Sequence, residues 1–302
     1  MAKPPFIELG DPKDPLRIPI LFEDRSVVVI DKPAGWLLVP SEWRQTGRNL
    51  QAAIESSIAG GDYWARSRNL RFLRYVHRLD AETSGALLLV KNANAMGAYS
   101  ALFESRDVEK CYLAVVPGVP RDPEWTCLRK LGPDPLSTGR GQVDDRAGKE
   151  AETRFRVLTS RLDPGLGEIS LIEARPLTGR THQIRIHLSV CGHAVLGDQL
   201  YSAPGAKHAP RLPAGIPMAL RAVALAYPDP FTGRRVHVAA PREAFGRAFG
   251  FAPKAREEGR EKESRNPKAD SRGRSEVPNP KPEVRRQPEV RNPANRSPRR
   301  IG

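Results

Sequence analysis

The segment Val76-His77-Arg78-Leu79-Asp80-Ala81-Glu82-Thr83-Ser84-Gly85-Ala86-Leu87-Leu88-Leu89-Val90 sets a carboxylate and a cation just ahead of an unbroken apolar run. Ala86 to Val90 is long enough for a central strand, and Thr83-Ser84-Gly85 supplies turn chemistry before it. Asp80 then falls on a loop or strand end, where a rigid sheet can hold a carboxylate still. That is how an active site is arranged. On spacing alone, Arg78 and Asp80 fit equally a surface ion pair flanking a turn.

Around this segment the chain alternates short strands with a few helices. Strands are expected at 18–22, 27–30, 111–116, 153–158, 168–174, 219–227 and 235–239, with Asp229-Pro230-Phe231-Thr232-Gly233 as the turn joining the last two. Asn49 caps a helix running to Ile58, with Leu50 and Ile54 on one side and Gly60-Gly61 at its end. A second helix spans 94–104, where Met96, Tyr99, Leu102 and Phe103 form a stripe. For 181–191 two readings stand: a helix capped by Thr181 and ended by Gly192, or a strand alternating Ile184, Ile186, Leu188 and Val190. Strands joined by hairpins, with few helices, predict an α+β domain on a largely antiparallel sheet.

The 302 residues allow one large or two ordinary domains. A net charge of +14 implies a polyanionic partner such as nucleic acid or an anionic surface. Cys111, Cys127 and Cys191 show no paired spacing and suit a reducing cytoplasm. No signal-peptide core and no apolar run of membrane-spanning length is present, so a cytoplasmic protein is expected. Composition changes abruptly after Phe251 and sets off a tail at 254–302, and the expected organisation is an N-terminal extension at 1–15, one domain at 16–253 and that tail. The tail has no aromatic residue and carries 15 Lys/Arg against 8 Asp/Glu, an excess of 7. It cannot bury enough apolar area to offset the entropy of ordering, and disorder is expected there. Its basic excess makes it an electrostatic arm or a dispensable extension.

Four stretches occur in a telling order: Val29-Ile30-Asp31-Lys32-Pro33-Ala34-Gly35 followed by Val39-Pro40; His77-Arg78-Leu79-Asp80 with Thr83-Ser84-Gly85; Lys110-Cys111-Tyr112-Leu113-Ala114; and Arg175 to Leu188 with Gly192 to Asp198. Together they resemble the RluA-type pseudouridine synthases over about Leu16 to Phe249. The resemblance implies a pseudouridine synthase fold, with two half-sheets meeting at a central catalytic cleft. It also implies a cofactor-independent enzyme that isomerises uridine to pseudouridine in rRNA or tRNA. The segment before Leu16 is too short for the S4-like RNA-binding domain that some members carry.

By resemblance Asp80 is the catalytic carboxylate, Arg185 its charge partner and Tyr112 the aromatic residue facing the target base. Breaking the N1–C1′ bond and joining C5 to the same carbon needs a carboxylate, a dry slot and a cation that keeps the carboxylate ionised. Arginine suits that role because it stays charged and can bond bidentately. Read without the resemblance, Tyr112 fits core packing and Arg185 a solvated helix face. Arg78 lies two residues from Asp80, hence on the same side of an extended segment, and the resemblance gives it a part in displacing the nucleotide from its stack. His77, Arg180 and Ile184 complete the candidate substrate-binding set, with His77 also fitting a scaffold role. His182, His187, Cys191 and His193 lack metal-ligand spacing, so no metal is expected. RNA is the expected partner of a monomer with no protein partner. The alternatives are a noncatalytic RNA-binding or ribosome-assembly protein on the same fold, and a hydrolase that cleaves the glycosidic bond and releases the base.

Overall fold

In the computed structural model the described residues are 3–11, 13–38, 48–202 and 212–251, all within one compact unit, Met1–Ala255. Val39-Pro40 and the tail from 254 lie outside them. In chain order the elements are β1 (Phe6–Leu9), β2 (Leu16–Glu23), β3 (Val27–Lys32), α1 (Leu50–Ala59), α2 (Tyr63–Arg66), β4 (Arg74–Tyr75), β5 (Ser84–Val90) and α3 (Ala93–Glu104). There follow β6 (Glu109–Pro117), β7 (Glu124–Cys127), β8 (Leu131–Pro133), β9 (Gly141–Val143), β10 (Thr153–Asp163) and β11 (Gly167–Pro176). The chain continues through α4 (Gln183–Val190), β12 (Leu220–Pro228), β13 (Arg235–Ala239) and α5 (Glu243–Ala248).

One large sheet runs β1-β2-β3-β5-β12-β6-β11-β10-β7, with β4 on β5, β13 on β12, and β8-β9 forming a separate pair. Its strand pairs are antiparallel except at β5 and β12, where Arg221 and Ala222 meet Ser84 and Gly85 in parallel. This parallel seam joins two antiparallel halves. The apolar run of β5 is buried on both faces: Leu87 and Leu89 enter the larger core with Val28 and Ile30, while Ala86, Leu88 and Val90 pack with Val27, Val29 and Tyr99. Strict alternation of side chains across a strand makes an uninterrupted apolar run the only pattern that fits there.

The helices at 50–59 and 93–104 start at the asparagines that can cap them: Asn49 accepts from Ala52 N at 3.1 Å and Asn92 from Ala95 N at 2.9 Å. For 181–191 the structure chooses the helix. Ile184 and Leu188, four apart, face the main core, whereas Ile186 packs on the opposite side with Leu131, Ala151 and Tyr201. Burial on two sides of one helix is what mimics strand alternation. Thr181 is not the cap; that position belongs to His182, whose side chain makes no capping bond. The sheet also begins earlier than expected. Phe6–Leu9, expected in an N-terminal extension because the resemblance begins near Leu16, pairs with β2 and buries Ile7 and Leu9.

Candidate active site

At the β5–β12 seam the backbones touch because residue 85 is glycine. Its φ is +112°, and a Cβ there would collide with the Ala222 backbone. The turn just before Gly85 carries Asp80 and is gripped from beneath by Lys32. This fully buried lysine donates to the carbonyls of Pro33 and Ala81, both at 3.0 Å, and of Thr83 at 2.9 Å. Burial lowers the Lys32 pKa to about 8 even though Asp80 and Glu82 pull it upward.

Arg185 reaches the same turn from α4. Its Nη1 donates to Asp80 Oδ2 at 3.1 Å, while Nε and Nη2 bond both oxygens of buried Asp198 at 2.7 and 2.9 Å. Burial opposes the guanidinium charge, but Asp198 and then Asp80 outweigh it and hold its pKa above the ordinary value. The Leu200 and Tyr201 amides fix Asp198 in turn, and the Tyr201 ring lies under the guanidinium at 5.2 Å.

The other Asp80 oxygen, Oδ1, lies 3.8 Å from His182 Nε2. His182 adopts a left-handed backbone, φ 54°, that aims its ring between Asp80 and Tyr201. Its Nδ1 is 2.8 Å from the Tyr201 hydroxyl, which donates to Gly141 O at 3.0 Å and accepts from Gly141 N at 3.1 Å. The Tyr201 hydroxyl thereby ties the His182 ring to Gly141. Desolvation, stronger here than the pull of Asp80, keeps the His182 pKa below its ordinary value.

Asp80, Arg185 and His182 line a cleft of about 560 Å³, with Lys32, Asp198 and Tyr201 behind its wall. Asp80, Tyr112, Arg185, Arg78, His77, Arg180 and Ile184 all border it, brought together from three separate parts of the sequence. Tyr112 stands between Ala174 on β11 and Ala222 on β12, directly opposite it in register, so small side chains flank the ring. Burial, then the Asp80 charge, pushes the phenol pKa up and keeps it protonated. Ile184 is buried against the main core, while Arg78 is exposed at the mouth. Arg180 is anchored through Nε to Glu150 O at 3.1 Å. His77 accepts from Leu88 N at 3.0 Å and stacks on Phe103 at 4.6 Å between centroids. Burial pushes its pKa down to about 3, so a neutral ring pins the loop to β5.

Sequence reasoning does not assign Lys32, Lys110, His182, Asp198 or Tyr201 to the site. Both lysines, His182 and Asp198 lie inside the four stretches that carry the resemblance, so the signal was present. Nothing local marks Tyr201, which acts through its hydroxyl across the β8–β9 pair. The histidines that invite a metal reading point to different partners: His182 to Tyr201, His187 to Thr153 Oγ1 and Arg129 O, both at 3.0 Å, and His193 toward Trp125.

A sequence profile described as RNA pseudouridylate synthase matches residues 26–190, more than half of the chain. The chain belongs to the RNA pseudouridylate synthase family. Members are isomerases, and this chain is of the RluA type. The uncharacterized RNA pseudouridine synthase YhcT of Bacillus subtilis is 34% identical over 65% of this chain and 63% of its own length, so the chain spans less than two thirds of that relative. The ribosomal large subunit pseudouridine synthase D of Zymomonas mobilis is 32% identical over 75% of this chain and 69% of its own. Among solved structures, human RNA pseudouridylate synthase domain containing 1 aligns with a TM-score of 0.59 at 26% identity, covering 80% of this chain and 89% of that one. For a pseudouridine synthase the cleft supplies an aspartate paired to a permanent cation, a protonated phenol beside it, and further cations at the entrance.

Proposed function

We propose that this chain isomerises specific uridines of ribosomal or transfer RNA to pseudouridine, with Asp80 as the group that acts on the nucleotide. The observation that carries the reading is the asymmetric holding of Asp80. Arg185 holds Oδ2 at 3.1 Å, while Oδ1 lies 3.8 Å from His182 Nε2 with no hydrogen bond between them, in the cleft that Tyr112 also borders. One oxygen is thereby fixed and the other left to work.

The reaction breaks N1–C1′, turns the uracil within the cleft and forms C5–C1′; C5 then loses a proton and N1 gains one. No electrons are exchanged with any other group. Tyr112 stacks on the base, worth about 1–3 kcal/mol, and its hydroxyl serves a proton transfer. Arg78 and Arg180 at the entrance draw the strand in, and Arg78 fills the stack from which the nucleotide leaves, offsetting an extrusion cost of about a few kcal/mol. The Zymomonas relative is named for the large ribosomal subunit, which makes rRNA the first substrate to examine. Three free cysteines fit work in a reducing cytoplasm.

Mapping pseudouridines across total RNA from cells with and without this chain tests the reading. Discrete sites should lose pseudouridine and revert to uridine when the chain is removed. An unchanged map contradicts it, and release of free uracil would make the protein a hydrolase.

A further inference from the structure

The cleft contains a half-buried cation that the aspartate machinery does not use. Lys110 and Tyr112 are two apart on β6, so both point into the cleft. An ammonium has three donors. Among the described residues one hydrogen bond is made, to Thr178 O at 3.1 Å. Lys32 has three carbonyl partners with Asp80 and Glu82 nearby, whereas no acid offsets the burial of Lys110, and the charge that acts on it is another cation, Arg106.

The surroundings are short of negative charge on every side. From the loop before Asp80, His77 is neutral and Arg78 cationic, and Asp80 is engaged by Arg185. From β6, Tyr112 is protonated, while Glu109 points away and pairs with Arg235. From the approach to α4 come Arg180 and the depressed His182. Glu104, exposed at the end of α3, is the acid on the wall that Arg106 shares. A half-buried cation without a counter-charge is unfavourable until an anion arrives.

Given the reading of the cleft as a nucleotide site, we propose that Lys110 is its anion-binding group and takes a phosphodiester flanking the uridine drawn inside. Burial, and then Arg106, lowers the free lysine's pKa to about 8. It is therefore mostly charged at neutral pH and loses the anion as pH rises past that value. A bound phosphate favours the charged form and raises the pKa again.

Two measurements decide it. Tritium release from RNA labelled with 5-tritiated uridine, prepared from cells lacking the chain, should show Lys110→Met raising KM about tenfold with kcat little changed. Lys110→Arg should restore KM and remove the wild type's rise in KM above about pH 8. An unchanged KM in Lys110→Met, or the same alkaline rise in Lys110→Arg, overturns the assignment. If Lys110→Met fails to fold, the Lys110→Arg profile still decides. Independently of turnover, carbon-13 NMR of the Lys110 side chain in the full chain should show its titration midpoint rising by about one unit or more with pentauridylate, and staying put with uridine nucleoside. A midpoint unmoved by pentauridylate also overturns it. A wild type that releases no tritium would instead overturn the isomerase reading and leave the titration result standing.

Discussion

Arg185 touches Asp80 with one nitrogen, at 3.1 Å, and spends the rest of its guanidinium on Asp198. The contact that holds the Asp80 carboxylate is thus set by a residue that does not line the cleft.

Asp198 is accordingly a positioning residue. Asp198→Asn should lower kcat about 10–100-fold with KM little changed, because Arg185 loses the bidentate hold that aims Nη1. Asp198→Ala should also cost about 3–5 kcal/mol of stability, since it strands a buried cation. Steady-state kinetics and urea denaturation separate the two effects. A normal kcat in Asp198→Asn would mean that Arg185 keeps its aim without its partner.

Lys32 gives a pH signature. Its folded pKa of about 8 lies below the ordinary lysine value of 10.5, so between these values the unfolded chain binds more protons and stability rises with pH. Relative to Lys32→Met, the wild type should gain up to about 3 kcal/mol from pH 8 to 10.5. Denaturation midpoints of both proteins across that window measure it; parallel profiles would show that Lys32 is not depressed.

Tyr112→Phe retains the ring and loses the hydroxyl, whereas Tyr112→Ala loses both. Tritium release should fall further in the alanine variant, by an additional factor of about 10–100 corresponding to lost base stacking. If both variants turn over normally, the tyrosine only packs.

Much of this was legible from local pattern. The Ala86–Val90 run announced a doubly covered strand, and Asn49 announced a helix start. Resemblance supplied Asp80, Tyr112 and Arg185, which composition and spacing alone left as an ion pair, a core ring and a solvated arginine. What stayed hidden depends on distant packing. Phe6–Leu9 is too short to show a period, and α4 imitates a strand because two cores flank it. His77 reads equally as a substrate-binding or a scaffold residue until the Leu88 amide is seen on its Nε2. Asp198 and Tyr201 act through Arg185 and His182, and no sequence spacing records that.

The most direct measurement is tritium release from 5-tritiated uridine in RNA by Asp80→Asn beside the wild type, with RNA affinity and folding followed in parallel. The carboxylate is a cleft group and phosphate contacts dominate binding. The variant should therefore fold and bind RNA nearly as the wild type does while releasing no tritium above background. Near-normal release by a folded Asp80→Asn protein would remove Asp80 from the chemistry and contradict the proposed mechanism.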